Sequence, residues 1–310
     1  MPDRRTSLDA RAVTALVVCC FLWGLNQVAV KVALPQIPPL LQAGARSMIA
    51  AVLVCAWARW RGVALFDRDS SLGAGLLVGV LFAAEFGAIF LGLQYTTASR
   101  MVVFLYLSPF VVALGMPFVA RSERLGPAQA LGLLLAFAGV AWAFAESFSL
   151  PAAGPSRWWG DALGVAAALL WGVTTLVIRA SRLSTASAEK TLLYQLGVAG
   201  VALLIAGTLA GEAWPASLSA LAALSFGFQS VIVAFASYLV WFWLVRHYPA
   251  TRLASFTLLT PVFGLLMGAW LLGEPITPRL WMALAAVASG IVLVNRRVAD
   301  PRLSRAKPQA

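Results

Sequence analysis

The sequence predicts an all-α integral membrane protein with ten transmembrane helices, arranged as two inverted repeats of five helices each. Three observations support this: the composition, a series of ten apolar blocks, and a sequence repeat. Of the 310 residues, 61% are hydrophobic and only 11% are charged, whereas soluble domains have about 25% charged residues. One protein core cannot bury that much apolar surface, so most of it must face lipid.

Each of the ten apolar blocks is long enough for a helix that crosses a hydrocarbon core of about 30 Å. Short connections rich in Pro, Gly, Ser and Arg separate the blocks. The blocks are apolar on all sides, which excludes the alternating strands of a membrane barrel. The predicted spans are 12–33, 40–60, 72–93, 100–119, 127–145, 159–180, 190–210, 219–245, 253–272 and 279–295.

The repeat is visible in two pairs of motifs. The first span contains WGLNQVAVK from Trp23, and 148 residues later the sixth span contains WGVTTLVIR from Trp171. Ser108-Pro109 in span 4 likewise matches Thr260-Pro261 in span 9. The two repeats are residues 12–145 and 159–295. Since five is an odd number, the second repeat starts on the opposite side of the membrane and is inverted, a known transporter design.

The distribution of basic residues predicts the orientation. With the N-terminus inside, eighteen of the 23 Lys and Arg residues lie on the cytoplasmic side. This excess is the positive-inside signal, so the tails 1–11 and 296–310 are both predicted to be cytoplasmic. The five basic residues elsewhere are Lys31, Arg46, Arg100, Arg157 and Arg279.

These features together resemble the drug/metabolite transporter superfamily, and within it the EamA-type exporters of bacteria. The resemblance rests on the ten helices in two halves, the WGLNQVAVK first span and the proline-broken spans 4 and 9, and it covers residues 12–295. It implies a multi-pass transporter of the inner membrane. Relatives export amino acids, other small metabolites or drugs, so the resemblance leaves the substrate open.

The two Ser/Thr-Pro pairs predict helix breaks. Pro109 and Pro261 have no backbone N–H, so the carbonyl four residues earlier loses its usual donor. Ser108 and Thr260 could supply a hydroxyl instead. Each break is either a tolerated kink or the wall of a cavity. Their equivalent positions in the two repeats favour the cavity.

Glu85 is the one carboxylate deep inside an apolar span. An ionised group there costs about 2.5–3.5 kcal/mol. It is either the partner of Arg46 or Lys31 in an ion pair, or a site for a substrate amine or a proton. The related exporters have an acid at a similar point of span 3, which favours the functional role. Its counterpart in the second repeat is Ser237, so a proton site would be asymmetric.

Aromatic and amide side chains recur in the same spans. Trp23 and Gln27 share one face of a helix, while many of the twelve Trp residues are expected to anchor at the membrane interface. Lys31 and Arg179, near helix ends, are expected to reach that interface, and Arg46 either lies there or pairs with an acid. The predicted substrate cavity is lined by Trp23, Asn26, Gln27, Glu85, Tyr106, Trp171, Thr175, Tyr238 and Trp241.

The preferred function is a secondary transporter that exports a small metabolite, such as an amino acid or an aromatic or amphipathic compound. No P-loop motif for ATP is present, so the energy is expected to come from an ion gradient or from the gradient of the substrate itself, with Glu85 as the candidate for proton antiport. A passive facilitator or an uptake carrier of the same fold is the alternative. A membrane lipid enzyme, a scaffold and a channel are less favoured.

Other partners are predicted by exclusion. One His and three Cys inside apolar segments give no metal-ligand or catalytic set, so we expect no cofactor, no metal and no enzyme activity. The Arg residues form short clusters between apolar blocks and not a basic stripe, which excludes nucleic acid as a partner. The expected partners are a small-molecule substrate and the bilayer. A monomer and a dimer both remain open.

Overall fold

The chain folds into helices throughout the part that the computed structural model describes, and this part contains no strand. The ends of the chain, including most of the predicted tail 1–11 and all of 296–310, lie outside it. The described residues are 8–67, 69–96, 98–119, 126–143, 157–248, 253, 256–257, 259–272 and 278–295.

Eleven helices of eight residues or more are described, because the fourth predicted span is divided into two, and a short 3-10 helix, Arg182–Ser184, follows the seventh of them. Their bounds are α1 Ala10–Ala33, α2 Pro39–Trp60, α3 Leu72–Tyr95, α4 Ala98–Leu105, α5 Ser108–Val119, α6 Pro127–Ala143, α7 Arg157–Ala180, α8 Ala188–Leu209, α9 Ala220–His247, α10 Leu259–Leu272 and α11 Pro278–Asn295. Each of the ten predicted spans overlaps one of these helices or, for span 4, two.

The helices are suited to lipid. Among the described residues, six helices (α1, α2, α3, α7, α8 and α9) are long and apolar enough to cross a membrane. Large apolar side chains point away from the protein, including Leu114, Phe118 and Leu224, which are 74%, 90% and 72% exposed. The predicted all-helical membrane fold is confirmed.

The two spans with a Ser/Thr-Pro pair, spans 4 and 9, are both interrupted. Helix α5 begins at Ser108 and has Pro109 in its first turn, where a missing N–H is not a loss. In span 9 the Thr260 N–H donates to the Thr257 carbonyl at 2.9 Å. This tighter turn supplies a donor for the carbonyl that Pro261 cannot bond.

The second helix of each repeat ends in the same way. Gly62 follows α2 with a φ of 66°, and Gly211 follows α8 with a φ of 78°, values that favour glycine. The next amide, of Val63 or Glu212, then donates to the carbonyl five residues earlier, at 2.8 and 2.9 Å. These are Schellman motifs. The second one places Glu212 at the start of α2, where its carboxylate accepts from two backbone amides.

Helices of the two repeats pack against each other. Helix α6 packs on α11 and α2 packs on α8, so each of these helices contacts its own counterpart. The contact between α3 and α7 has its counterpart in α9 with α1, and the contact between α5 and α7 in α10 with α1. The repeats therefore interlock around a shared centre.

The glycine of each Trp-Gly pair lies at such a contact. A Cβ on Gly24 would come within 2.6 Å of the Gly264 backbone nitrogen in α10. A Cβ on Gly172 would come within 2.5 Å of the Val111 Cβ in α5. Each glycine thus lets the first helix of one repeat approach the broken helix of the other, which gives the repeated glycine a packing role.

Candidate functional site

A cavity lies at the centre of the interlocked repeats. Its walls come from α1, α3 and α4 of the first repeat, from α7, α8, α9 and α10 of the second, and from Tyr106 in the break between α4 and α5. The space open to the centres of water molecules in this cavity is about 120 Å³, and a single water needs about 10–15 Å³ of such space. The cavity therefore has room for a small molecule.

All nine residues predicted to line a cavity line this one: Trp23, Asn26, Gln27, Glu85, Tyr106, Trp171, Thr175, Tyr238 and Trp241. Of the four residues predicted at the helix breaks, Thr260 also reaches the wall, whereas Ser108, Pro109 and Pro261 are not part of it.

Aromatic rings make up much of the wall. The Trp23 ring lies edge-on to Trp241 and Tyr238, with ring centroids 5.4 and 6.2 Å apart. On the other side of the cavity, Tyr106 meets Trp171 edge-on at 6.3 Å. These contacts hold the rings in fixed orientations, so the tryptophans that recur in the repeat are wall residues and not interface anchors.

Glu85 brings a carboxylate into this aromatic surrounding. Its side chain is 5% exposed, and its Oε2 atom has no hydrogen-bond partner among the described residues. Four further wall residues have an unpartnered buried oxygen in the same part of the chain: Asn26, Gln27, Gln195 and Thr260. A buried polar group without a partner costs about 1–3 kcal/mol. Five such oxygens around one cavity are what a ligand or ordered water would satisfy.

Arg46 is not at the membrane interface, which corrects one of the two expectations for this residue. Its side chain is fully buried, and the guanidinium carbon lies 4.3 Å from the centre of the Phe86 ring and 5.2 Å from that of Phe90. None of its three nitrogens makes a hydrogen bond of good geometry in the described part of the chain, although the Tyr238 hydroxyl lies near the guanidinium. Ring faces replace water as its surroundings. The guanidinium acts on Glu85 electrostatically but makes no ion pair with it within 4.0 Å.

Lys31 and Arg179 each hydrogen-bond to the end of a neighbouring helix. The Lys31 ammonium donates to the Thr96 carbonyl at 2.9 Å, and an Arg179 nitrogen donates to the Tyr248 carbonyl at 3.0 Å. Arg179 is only 8% exposed. Each of these basic side chains thus bonds a carbonyl at the end of a neighbouring helix, and Lys31 is not the ion-pair partner of Glu85.

The two repeats differ where Glu85 lies. The equivalent residue, Ser237, accepts a hydrogen bond from the Trp23 indole at 2.8 Å and donates to the Val233 carbonyl at 2.6 Å. It ends a π-helical segment, Phe228–Ser237, within α9. Such segments are frequent at functional sites. One repeat thus offers a carboxylate and the other a hydroxyl that is already hydrogen-bonded.

Sequence reasoning missed several wall residues. Phe82, Phe86 and Ile89 lie on the same face of α3 as Glu85, and helical spacing from the acid could have found them. Gln195 in α8 is a polar residue in an apolar span, which was a usable signal. No cluster of His, Cys, Asp or Glu that could hold a metal ion occurs among the described residues.

Comparison with known proteins identifies the family. The model of the EamA-like transporter family matches residues 10–145 and 158–296, one match for each repeat. The chain belongs to this family. The resemblance seen in the sequence is thereby confirmed, and with it the two-repeat architecture. The family is one of membrane transporters, and transporters are not a class of enzyme.

Full-length relatives are similar over nearly the whole chain. The uncharacterized transporter YvbV of Bacillus subtilis is 30% identical over 305 residues, covering 96% of this chain and 93% of YvbV. The uncharacterized inner membrane transporter YedA of Escherichia coli K12 is 24% identical over 283 residues, covering 91% and 89%. A crystal structure at 19% identity superposes with a TM-score of 0.74 and covers 92% of this chain and 98% of that one, which shows the same fold.

Proposed function

We propose that this protein is a secondary transporter that exports a small amphipathic amine, such as an amino acid or an aromatic amine, across the inner membrane by proton antiport. The observation that carries the proposal is the Glu85 carboxylate with an unpartnered oxygen in the wall of a central aromatic cavity.

The chemistry of the wall supports this class of substrate. The five unpartnered oxygens can all accept hydrogen bonds, so the complementary ligand is rich in N–H donors. A protonated amine would meet the Glu85 carboxylate and the faces of Trp and Tyr rings, which attract cations. The apolar walls formed by Phe82 and Ile89 suit the apolar body of the same molecule.

A competition at Glu85 would couple transport to protons. A carboxylate cannot bind a proton and an ammonium group at the same time, so each would displace the other. Arg46 is the positive charge that acts on Glu85. Because the guanidinium is not in ion-pair contact, the carboxylate oxygen stays free for either competitor.

The arrangement of the repeats supports alternating access. Five helices per repeat would invert the second repeat. Each of the contacts between a helix of one repeat and a helix of the other has its counterpart when the repeats are exchanged, as a two-fold axis in the membrane plane would require. Basic residues are in excess in the two tails, 1–11 and 296–310, and in the loops on the same side of the membrane. This excess supports cytoplasmic termini. The inner membrane location follows the name of the relative YedA.

Proteoliposomes test the proposal. Purified protein would be reconstituted, and a panel of amino acids, aromatic amines and cationic drugs would be assayed with and without a pH gradient. The variant Glu85→Gln keeps the size and removes the charge. Glu189→Gln, outside the cavity in the first turn of α8, is the matched control.

We expect gradient-driven movement of aromatic or amphipathic amines by the wild type and by Glu189→Gln, and its loss in Glu85→Gln. Uptake into inside-out vesicles but not into right-side-out vesicles would establish export. Movement that ignores both the gradient and the Glu85 substitution would instead identify a passive facilitator. Gradient-driven uptake into right-side-out vesicles would identify an uptake carrier.

A further inference from the structure

Two hydrogen-bonded networks join the repeats, and each includes three of the described residues. We define the first clasp as Lys31, Thr96 and Asp161. The Lys31 ammonium donates to the Thr96 carbonyl at 2.9 Å, and the Thr96 hydroxyl donates to the Asp161 carboxylate at 3.0 Å. The first clasp thereby connects the end of α1, the end of α3 and the start of α7.

The second clasp, Arg179, Tyr248 and Asp9, has the same connections in the same order. The Arg179 guanidinium donates to the Tyr248 carbonyl at 3.0 Å, and the Tyr248 hydroxyl donates to the Asp9 carboxylate at 3.0 Å. It connects the end of α7, the end of α9 and the start of α1. Arg179 and Tyr248 are the repeat counterparts of Lys31 and Thr96. The two acids are not exact counterparts, because the position in the first repeat that matches Asp161 is Val13, one helical turn after Asp9.

The central residues of the clasps share their backbone geometry. Thr96 has φ −126° and ψ 170°, and Tyr248 has φ −127° and ψ 159°. In both, the backbone N–H still closes the last turn of the helix, at 2.9 and 2.8 Å. The side chains are a threonine and a tyrosine, so it is the extended backbone and the hydroxyl that the two clasps have in common.

The clasps lie at opposite ends of the same helices. From Asp9 to Lys31 the chain advances 22 residues, which is about 33 Å of helix, and from Asp161 to Arg179 it advances 18 residues, about 27 Å. These lengths match a hydrocarbon core of about 30 Å. Trp23 comes eight residues before the basic residue of its own helix, about 12 Å. The cavity therefore lies between the clasps.

We propose that the two clasps are the two gates of the transport cycle and that they open alternately, an inference that rests on the proposed function. Helices α1 and α7 take part in both clasps, each with an acid near one end and a base near the other. Both clasps are closed in the structure. A rocking motion that separates the helix ends on one face presses together the ends on the opposite face, so one clasp opens while the other stays closed and the cavity is exposed to one side only.

Single hydroxyl deletions test this. Thr96→Val removes the bond to Asp161 and leaves the carbonyl for Lys31, while Tyr248→Phe removes the bond to Asp9 and leaves the carbonyl for Arg179. Thr208→Val is the matched control, because the Thr208 hydroxyl is exposed and its partners among the described residues are carbonyls of its own helix.

A cysteine in the cavity reports which face is open. Thr174→Cys places it in the wall, in a background in which Cys19, Cys20 and Cys55 are alanine. Its reaction rate with a membrane-impermeant maleimide is measured in right-side-out and in inside-out vesicles.

We expect Thr96→Val to raise the labelling rate from one face and lower it from the other, and Tyr248→Phe to do the opposite. The change should be on the order of tenfold, because each deleted hydrogen bond goes to a carboxylate and such a bond is stronger than one between neutral groups. Thr208→Val should leave both rates unchanged. Faster labelling from both faces in either clasp variant, or unchanged rates in both variants, would refute the proposal that the clasps are gates. The clasps would then only hold helices together.

Labelling needs no knowledge of the transported compound, so the two proposals fail separately. If the rates shift in opposite directions while no compound moves in proteoliposomes, the gates stand and the proposed substrate class is wrong. If aromatic amines move with the expected dependence on Glu85 while the labelling rates do not change, the gates are wrong and the transport function stands.

Discussion

The contact at Gly24 allows one prediction to be worked out from the structure. In Gly24→Ala the new Cβ would lie 2.6 Å from the Gly264 nitrogen, 2.8 Å from the Thr260 carbonyl oxygen and 3.1 Å from the Phe263 carbonyl carbon. All three atoms belong to the backbone, so no side-chain rotation relieves the clash. Since ordinary contact begins at 3.4 Å, helix α10 must move away from α1 by about 0.8 Å, the difference between 3.4 and 2.6 Å.

Overpacking of this kind typically costs about 1–3 kcal/mol. Alanine is also the better helix former, by about 1 kcal/mol, which acts in the opposite direction. Gly197→Ala separates the two effects, because Gly197 lies inside α8 and its Cβ would meet nothing within 4 Å. The difference in free energy of unfolding between the two variants is then the cost of the clash alone, which we expect to be about 1–3 kcal/mol.

The measurement is the melting temperature of each purified variant in detergent at one scan rate. We expect Gly197→Ala to melt at or slightly above the wild type, and Gly24→Ala to melt several degrees below Gly197→Ala. Equal melting temperatures for the two variants would show that α1 and α10 are not in close contact, and the packing role of the repeated glycine would be wrong.

Two further predictions concern the ends of helices. The Glu212 carboxylate accepts from the amides of Leu41 and Leu40 at 2.8 and 3.2 Å and caps α2, so Glu212→Ala should lower the free energy of unfolding by about 1–2 kcal/mol. Glu212→Gln, which keeps one acceptor, should lower it by less, and equal melting of all three proteins would refute the cap. In the loop before α3, the hydrogen bond from Lys190 at 2.9 Å lowers the pKa of Asp69 below its usual range. A lowered pKa stabilises the fold above the ordinary value of about 3.9 and loses this effect as the pH falls through the lowered value. The loop should therefore resist protease from pH 7 down to pH 4 in the wild type but not in Lys190→Met, and a wild-type loop that is cut at pH 5 would contradict this.

Composition and span length were enough to predict that the protein is surrounded by lipid, and to predict the helices and their approximate ends. Lipid leaves the backbone few choices, because each amide and carbonyl must be satisfied within its own segment. The repeat then predicted which helices correspond. The equivalence of Trp23 and Trp171 pointed to the wall of the central cavity, whereas Thr260 is the one residue of the two Ser/Thr-Pro pairs that the structure places there.

The surroundings of the charged residues could not be predicted in this way. Arg46 appeared to need the interface or an acid, yet it lies buried on Phe86 and Phe90. Lys31 appeared to need water or Glu85, yet it bonds a carbonyl at the end of α3. In each case the partner is far away in sequence and belongs to a helix whose rotation the sequence does not specify.

By itself, then, the sequence determined a membrane-embedded two-repeat transporter fold and the identity of the residues at its centre, because hydrophobicity, span length and internal repetition are properties of the chain alone. Only the tertiary structure decided which oxygens remain unpartnered around the cavity and how Thr96 and Tyr248 link the two repeats. Those features depend on how each helix is rotated and how closely it approaches its neighbours. Contacts between residues distant in the chain fix both.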